Sequence, residues 1–600
     1  MEICFACGAD GAEFACSRCR SVRFCDAQCQ RNGWRRHKPD CRAGASIIAA
    51  ASSPAPGQGA GKPGGNAPAA RGAMAGAILQ AMAQGVRPTP APLQFLAYPN
   101  VGALQGDVLI VLAVGDEFEV ALESVGRMVL GGVSPSRVRL FAVDGSGDEV
   151  TSLERLRLAA ARGGVFASDG PPLRRHREGA TGPPGLAEGK RRYDPNLVGG
   201  SLLRVDATDP ELPRLLHCSV PVVIAGSGVV GEATELWNFD YLDRHLSDVD
   251  QFFVLVAPAE SRGRFAYYDL TGSKNPCDFN VTATNERVEM RFNDFRRKAS
   301  AAWKKRQAGK ATKSFYMQNA VLHREEREDC PPRPVGGFGE SCGLVVAKDI
   351  ERFRWDWLKQ VMGRNVQITQ MFCGTGGDFS PCHYDPQDNI FVQVRGYKRV
   401  LLFHPRHFGC LYPWPVHHPQ DRQSRVDFDA PDLAAFPRFA ELNGCGLEAI
   451  LGPGDALHIP PGWWHHIEML PSPPEGEVVS INFWYPPPQW YYGNPALGDI
   501  RWDRPLGGIK RVLFMRCIEE LIGRTTDPAE VLDVVRMCAG ALPMPRPGTR
   551  TYEAVEGVQT FVSAIFPDAD EQKAMLELVA EGRFQGLKAG PRRSRKPLTS

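Results

Sequence analysis

The chain has 600 residues, of which 43% are hydrophobic, and its formal net charge is +2. Its length predicts several domains, and its apolar content is sufficient for a buried core. Because the charges nearly balance, the chain as a whole has no basic surface for nucleic acid. It contains no run of about 18 apolar residues, so no transmembrane helix is predicted.

The cysteines are distributed unevenly, with seven of the 17 in the first 41 residues. A dense cluster at one end, with the rest scattered singly, is typical of thiolates that bind metal in a reducing compartment. The N-terminal sequence MEICFACGAD has neither a basic n-region nor an apolar h-region, so secretion is not expected. We expect a cytoplasmic and/or nuclear protein.

Residues 1–42 present soft metal ligands in four pairs, namely Cys4, Cys7, Cys16, Cys19, Cys25, Cys29, His37 and Cys41. Two tetrahedral zinc sites need this number of ligands, and metal binding supplies the folding free energy of so small a segment. The spacing resembles a MYND finger. The resemblance implies that the first and third pairs bind one structural Zn(II), that the second and fourth pairs bind the other, and that the finger binds a proline-rich peptide of a partner protein.

The next part of the chain alternates between low-complexity and globular composition. Residues 43–95 form an Ala/Gly/Pro-rich linker. Residues 96–165 contain alternating strand-like and helix-like runs, which predict a small α/β module of unknown role. Residues 166–200 are a basic Gly/Pro linker, and we interpret its charges as a solvated loop rather than as a targeting signal.

The largest domain is predicted at 201–500. Short apolar runs separated by Gly/Pro turns between about Val366 and Tyr485 are typical of an all-β barrel or jelly roll, with helices flanking it. Before the barrel, Arg264–Asp269 is predicted as a strand and Val288–Arg306 as a mostly charged helix.

A candidate metal site lies in Ser380–Lys398. His383 and Asp385 are two residues apart, so on a strand they point to the same face. With a distant histidine they can form the facial triad that holds non-haem Fe(II) and leaves coordination positions open. A histidine and an aspartate in a surface turn would give the same short motif. The third ligand is expected after the turn at Pro460–Gly462, where spacing does not choose between His465 and His466.

Lys398 lies among apolar and aromatic residues of the same stretch. If its side chain points inward, the ammonium needs an anionic partner, because an unpaired buried charge is costly. A dicarboxylate cosubstrate would supply that partner. Spacing alone equally allows an outward-facing lysine on the strand.

The run LYPWPVHHPQDRQSRVDFDAPD at Leu411–Asp432, together with HYDPQ, GWWHHIE and INFWY, looks like the factor-inhibiting-HIF family. These are JmjC-type asparaginyl hydroxylases that use Fe(II), 2-oxoglutarate and O2, and the similarity extends from about Val205 to about Met537. The resemblance implies the double-stranded β-helix, a jelly-roll or cupin-like fold, for the predicted barrel.

The resemblance also assigns roles to individual residues. The implied Fe(II) ligands are His383, Asp385 and His465. The implied 2-oxoglutarate contacts are Lys398, Tyr316, Ser380, Asn389 and Asn482. The implied substrate contacts are Gln318, Gln387, Arg422, Gln423 and Trp484, where the Arg–Gln pair offers a donor and an acceptor to an asparagine amide. From spacing alone, Arg422 could instead pair with Asp421 or Asp427, and Trp484 could be core packing.

Two helices, each with a stripe of apolar residues on one side, are predicted within residues 501–545. Residues 546–600 contain two further predicted helices and a basic tail. In the resembled family the equivalent helices form a dimer interface, which implies a homodimer here. The finger and the 96–165 module are not part of that family, and Pro386 departs from its pattern next to a ligand, which puts asparagine selectivity in question.

Three functions remain open from the sequence. The first is a protein hydroxylase acting on asparagine in extended segments such as ankyrin repeats. The second is a JmjC-type histone lysine demethylase, which uses the same iron chemistry. The third is a non-enzymatic adaptor, against which the intact triad and Lys398 argue. No membrane partner is expected, nor direct nucleic-acid binding.

Overall fold

The computed structural model divides the chain into two compact units, Met1–Arg71 and Gly72–Ser600. The described residues are 14–15, 23–24, 93–99, 108–112, 117–130, 132–142, 149–168, 190–210, 212–217, 220–246, 252–268, 279–323, 333–334, 344–471, 475–486, 508–525, 530–566, 568–580 and 583–584. The predicted zinc ligands, nearly all of the first linker and the basic tail lie outside them. In the first unit, β1 (Phe14–Ala15) pairs antiparallel with β2 (Arg23–Phe24).

The first described part of the second unit is an α/β module. Its elements are β3 (Leu93–Pro99), β4 (Val108–Leu112), α1 (Phe118–Met128), β5 (Arg139–Ala142), α2 (Leu153–Ala161) and β6 (Val165–Ser168). The strands form one sheet in the order β4-β3-β6-β5, with β3 and β6 parallel. Apolar side chains of both helices and of the sheet share one core. The described elements of the module run from Leu93 to Ser168, whereas the prediction placed it at residues 96–165.

The remaining strands build two larger sheets. They are β7 (Val198–Ser201), β8 (Leu203–Asp206), β9 (Val222–Ala225), β10 (Phe252–Ala257), β11 (Glu286–Met290), β12 (Ser314–His323), β13 (Arg333–Pro334), β14 (Ile368–Thr375), β15 (Phe379–His383), β16 (Asp388–Arg395), β17 (Tyr397–Phe403), β18 (Gly446–Leu451), β19 (Ala456–Ile459), β20 (Trp464–Leu470) and β21 (Glu477–Tyr485). Strand β7 belongs to the smaller of these sheets, although most of it lies within the residues predicted as the basic linker.

Helices flank these sheets. They are α3 (Leu212–His217), α4 (Ala233–Leu236), α5 (Phe239–Leu246), α6 (Phe292–Gln307), α7 (Leu344–Glu351), α8 (Trp355–Met362), α9 (Gly508–Thr525), α10 (Val531–Cys538), α11 (Arg550–Ile565) and α12 (Ala569–Ala580). None of the described helices combines the length and apolarity that a bilayer crossing requires.

The predicted barrel is present as two facing sheets. The large sheet has the order β11-β10-β12-β14-β21-β16-β19-β9-β8, with β13 paired to β12, and the smaller one has the order β15-β20-β17-β18-β7. Consecutive strands from β14 to β21 lie in different sheets, except β17 and β18, which are neighbours in the smaller sheet. Apolar side chains such as Ile390, Val392 and Ile481 fill the core on the large sheet. The cupin-like, mainly β fold class is confirmed.

One predicted element is wrong, and another begins later than predicted. Arg264–Asp269 forms no strand within its described residues, because Arg264 makes only an isolated bridge to Phe379. Strand β10 pairs antiparallel with β11 and β12. The predicted helix from Val288 is a strand as far as Met290, and the helix begins only at Phe292.

The C-terminal helices pack on one another and on the barrel. The apolar stripe of α9, which includes Ile518 and Ile522, is buried together with Val534 and Val535 of α10 and with residues of α11 and α12. The stripe that was expected to form a homodimer interface is therefore covered within the chain.

A buried ion pair joins the chain after α12 to α9. Arg583 donates to Glu519 Oε2 over 3.1 Å, and the two residues are 2% and 1% exposed. Glu519 Oε2 also accepts from the Val416 backbone N–H at 2.8 Å. Such a pair fixes a geometry more than it adds stability, because both charges have lost their hydration.

The Arg583→Met substitution leaves the Glu519 carboxylate buried and unpaired, so we expect the free energy of unfolding to fall by about 3–5 kcal/mol in urea denaturation. Adding Glu519→Gln removes the charge and keeps an acceptor for Val416, so the double variant should regain most of the loss. Arg536→Met, in an exposed pair with Asp533, is the control and should change stability by under about 1 kcal/mol. A double variant less stable than Arg583→Met contradicts the account.

Candidate active site

The register between β15 and β20 brings two histidines together. His383, the last residue of β15, lies directly opposite His465 on the antiparallel neighbour β20. Residues opposite one another on paired strands point to the same face of the sheet. The two imidazole centroids are therefore only 4.2 Å apart.

Asp385 completes the group from the turn after β15. Its Oδ2 lies 3.8 Å from His383 Nε2 and 3.5 Å from His465 Nε2. One ligand atom from each of the three residues lies within 4.8 Å of the others, which is the only group of three or more potential metal ligands among the described residues. Two imidazoles and one carboxylate in this arrangement match a facial triad.

Backbone carbonyls orient both imidazoles toward this point. Nδ1 of His383 lies 2.8 Å from the carbonyl of Pro381, and Nδ1 of His465 lies 3.0 Å from the carbonyl of Trp463. A carbonyl only accepts hydrogen bonds, so each Nδ1 carries the proton and each Nε2 presents its lone pair. Both rings are thereby prepared as neutral metal ligands.

Burial and charge favour the ligand forms of the side chains. Burial, with a further contribution from His465, lowers the pKa of His383 to about 4, so its ring is neutral at physiological pH. Burial by itself would raise the pKa of Asp385, but the contacts with the two histidines and the charge of Arg422 outweigh it and lower the pKa. An Fe(II) ion fits this donor set, which offers two imidazole nitrogens and an anionic oxygen.

His466 is the neighbour that spacing could not exclude. It points to the opposite face of β20, as alternation along a strand requires. There its ring stacks on Phe428 with centroids 5.5 Å apart and meets the edge of Tyr193. The cavity beside the triad is lined by His465 and not by His466.

The cavity has a volume of about 460 Å³. The structure brings all of the predicted barrel-site residues to its wall. They are Tyr316, Gln318, Ser380, His383, Asp385, Gln387, Asn389, Lys398, Arg422, Gln423, His465, Asn482 and Trp484. Their proposed roles in binding cosubstrate and substrate remain predictions.

Lys398 points inward and is 1% exposed. Its Nζ donates to Ser480 Oγ at 2.8 Å and lies 4.7 Å from the ring centroid of Phe391. Within the described part of the chain, no carboxylate lies at ion-pair distance from this ammonium, and burial lowers the pKa of Lys398 to about 7. A buried lysine in this state fits an incoming anion, since the anion would replace the missing counter-charge.

Two asparagine oxygens near Lys398 support the same conclusion. Oδ1 of Asn389 and Oδ1 of Asn482 are buried without a hydrogen-bond partner. A buried acceptor that stays unsatisfied costs free energy, so such groups commonly mark the position of a ligand or water. Both side chains line the cavity, and a polar ligand bound there could satisfy them.

The predicted amide-binding pair is engaged with the chain itself. Arg422 Nη1 donates to Asp385 Oδ1 at 3.0 Å, a partner that the sequence did not suggest. The Gln423 side chain donates to the Tyr267 carbonyl and accepts from the Tyr267 N–H at 3.3 Å. Trp484 Nε1 donates to Gln370 Oε1 at 3.3 Å on the cavity wall, so it is not plain core packing.

Sequence reasoning missed several residues of the site. Ser480 holds the Lys398 ammonium, and it could have been found because it precedes Asn482 by two positions on β21 and shares its face. Tyr267, which is half exposed beside the cavity, carried no signal of its own.

Comparison with known proteins agrees with this fold. A family model of the cupin-like domain matches residues 210–490, and a model of the MYND finger matches residues 4–41. Over 287 residues the chain is 24% identical to Lysine-specific demethylase JMJ31 of Arabidopsis thaliana, an alignment that covers 44% of this chain and 46% of that protein.

Two further relatives match a shorter stretch. HSPB1-associated protein 1 of Homo sapiens is 35% identical over 124 residues, which are 20% of this chain and 24% of that protein. Jumonji C domain-containing protein 5 of Drosophila melanogaster is 35% identical over 115 residues, which are 19% of this chain and 26% of that protein. The chain thus spans between about a quarter and a half of the length of the curated relatives it matches.

The chain therefore carries a cupin-like domain and an N-terminal MYND finger, as the resemblance implied. The narrower assignment to asparaginyl hydroxylases remains a prediction.

Replacing His465 by Phe should abolish binding of Mn(II) to the zinc-loaded full-length protein, because one of three ligands is lost. The matched variant His466→Phe should bind Mn(II) within about threefold of wild type, since its ring is buried on the other face. Electron paramagnetic resonance of free Mn(II) during titration measures both affinities. Equal losses in the two variants, or loss only in His466→Phe, would mean that the third ligand is assigned wrongly.

Proposed function

We propose that this chain is an Fe(II)- and 2-oxoglutarate-dependent dioxygenase that hydroxylates a protein side chain. One observation carries the proposal. His383, Asp385 and His465 converge at one end of a cavity, and a buried lysine without a carboxylate partner in the described residues lies in the same cavity. Metal and diacid sites side by side are what such an enzyme needs.

Different residues of the chain would bind the metal and the cosubstrate. Fe(II) bound by His383, Asp385 and His465 would supply the activation of oxygen. Lys398 holds the distal carboxylate of 2-oxoglutarate, and Ser480 orients the ammonium for that contact. The other 2-oxoglutarate contacts are Tyr316, Ser380, Asn389 and Asn482. Phe391 excludes water around the ion pair and thereby strengthens it.

The substrate we favour is an asparagine in an extended segment, such as an ankyrin repeat. Gln423 already binds a backbone N–H and a backbone carbonyl of Tyr267, so its amide presents the donor and acceptor that a substrate amide needs. Substrate would displace Tyr267 from Gln423 and pack along Gln318, Gln387 and Trp484, which line the cavity. Arg422 would add a donor from its position on Asp385.

Lysine demethylation is the second candidate. The similarity to a protein named Lysine-specific demethylase JMJ31 favours it, as does the engagement of Arg422 and Gln423 with the chain itself. Hydroxylation and demethylation begin with the same oxidation of a C–H bond, so the triad and Lys398 serve either reaction. A non-enzymatic adaptor would not need these groups to lie together in one cavity.

The MYND finger would recruit the partner. We assign it two structural Zn(II) ions and a proline-rich peptide as its ligand. We also propose a homodimer. Because the apolar stripe on α9 and α10 is covered within the chain, the dimer interface would use other surfaces. Action in the cytoplasm and/or nucleus is consistent with a cysteine-based zinc site.

Incubation with Fe(II), ascorbate and 2-oxoglutarate should add one oxygen to an asparagine of an ankyrin-repeat peptide, as seen by tandem mass spectrometry. The His383→Ala variant is the control and should give neither the product nor 2-oxoglutarate turnover above background. Loss of a methyl group from a methyl-lysine peptide would favour the second candidate. Equal 2-oxoglutarate turnover by both proteins would leave the adaptor as the correct interpretation.

Binding of 2-oxoglutarate to the Mn(II)-loaded protein should take up close to one proton at pH 8 and almost none at pH 6. The pKa of Lys398 is about 7 when the site is free, so the amine is mostly neutral at pH 8, and the carboxylate raises the pKa and restores the charge. Calorimetry in two buffers of different ionisation enthalpy measures the uptake. The Lys398→Arg control stays charged and should take up none, and zero uptake by wild type at pH 8 refutes the assigned pairing.

A further inference from the structure

Helix α9 reaches the active site through one arginine. Arg516 donates through Nη1 and Nη2 to the two carboxylate oxygens of Asp421, at 2.7 and 2.8 Å. Its Nη1 also donates to the hydroxyl of Tyr384 at 2.8 Å. Tyr384 lies between the ligands His383 and Asp385, so a single guanidinium contacts both the metal-binding segment and the loop opposite it.

The contacts continue from Asp421 to the metal ligand itself. Asp421 precedes Arg422, and its Oδ2 lies 3.9 Å from Arg422 Nε. Arg422 in turn donates through Nη1 to Oδ1 of Asp385 at 3.0 Å. Four groups of alternating charge, Arg516, Asp421, Arg422 and Asp385, thus form a chain that ends on a ligand of the triad.

The backbone holds this chain of charges in register. The Tyr384 N–H donates to the carbonyl of Arg422 at 3.0 Å, and His383 forms an isolated antiparallel bridge with Gln423. Arg422 adopts φ of +69°, a left-handed conformation that non-glycine residues adopt at a cost. The surrounding contacts must stabilise that conformation, and those of Arg516 with Asp421 are among the strongest available, being bidentate and charge-assisted.

We propose that Arg516 is a positioning residue for the metal site: by satisfying Asp421, it keeps Arg422 on Asp385. This inference rests on the proposed function, because it concerns the same metal site. The mechanism is that the carboxylates of Asp421 and Asp385 compete for the guanidinium of Arg422. With Arg516 present, Asp421 is neutralised by two hydrogen bonds and Arg422 binds the ligand aspartate.

Without Arg516, the carboxylate of Asp421 would lack its bidentate partner while lying 3.9 Å from Arg422. Opposite charges at that separation near a protein surface attract strongly before solvation is counted. Asp421 would then draw Arg422 away from Asp385. The ligand would lose the hydrogen bond that fixes its second oxygen, and contacts of this kind typically contribute about 10- to 100-fold to metal affinity.

Removing the carboxylate of Asp421 distinguishes this competition from a role of Arg516 in packing alone. Full-length, zinc-loaded protein is titrated with Mn(II), which prefers oxygen and nitrogen ligands and so avoids the thiolates of the finger. The variants are Arg516→Met, Asp421→Asn, the double variant Arg516→Met with Asp421→Asn, and Arg536→Met. The last is the control, an exposed arginine on α10 paired with Asp533. Thermal melting of each variant reports folding independently.

Arg516→Met should weaken Mn(II) binding by about tenfold or more. Asp421→Asn alone and Arg536→Met should bind within about threefold of wild type. The double variant should also return to within about threefold of wild type, because an uncharged amide in place of the Asp421 carboxylate no longer captures Arg422. Restoration of this kind by a second substitution is not expected of a residue that only packs.

Each contrary result has one meaning. Equal Mn(II) affinity for wild type and Arg516→Met would overturn this inference and leave the proposed function intact. A double variant that binds as weakly as Arg516→Met would overturn it in the same way, because the loss would not come from competition. Failure of wild type to bind Mn(II) would overturn the proposed function, and this inference with it.

Discussion

The active site depends on the pairing register of β15 and β20. Because His383 lies opposite His465, both rings face one point, and a shift by a single residue would place His466 there instead. The register is supported from the other side of β20, where β17 pairs with it over seven residues. The carbonyls of Pro381 and Trp463 then fix the tautomer of each ring. The proposed metal site therefore depends on how these two strands pair.

A second layer of contacts holds the parts of the site that do not belong to the barrel sheets. The loop at Leu411–Asp432 lies beside β15 and carries Arg422 and Gln423. It is attached to the C-terminal helices by Arg516 and Glu519 of α9 and by Arg583. These helices bury their apolar faces on one another, so they form a rigid support for the loop. In the proposed function, substrate recognition and metal binding would thereby be linked to a part of the chain far away in sequence.

The sequence was sufficient for the fold class and for the residues that gather in the cavity. Short apolar runs between turns predicted the barrel, and the spacing of His383 and Asp385 predicted that they act together, although Asp385 lies in the turn after β15 and not on the strand. The other cavity residues were implied by the family resemblance. The choice of His465 over His466 depends on register, which spacing does not encode. Local propensity was misleading at Arg264–Asp269, where aromatic residues favour a strand but only an isolated bridge forms among the residues that the structure describes.

Contacts between distant segments were beyond prediction for the same reason. Arg516 is 95 residues from Asp421 and 132 from Tyr384, and nothing in a local pattern connects them. The engagement of Gln423 with the Tyr267 backbone likewise follows from the tertiary fold alone. The family resemblance thus indicated which residues surround the cavity, whereas the structure was needed to find which of them contact one another.

The most direct test of the central claim is the visible absorption spectrum of the Fe(II)-loaded protein without oxygen. If one ion is held by three ligands beside a diacid pocket, 2-oxoglutarate should chelate it and give a metal-to-ligand charge-transfer band. Succinate, which lacks the 2-oxo group, should give none. A spectrum unchanged by saturating 2-oxoglutarate would contradict the account, because the triad and Lys398 would then not form one site.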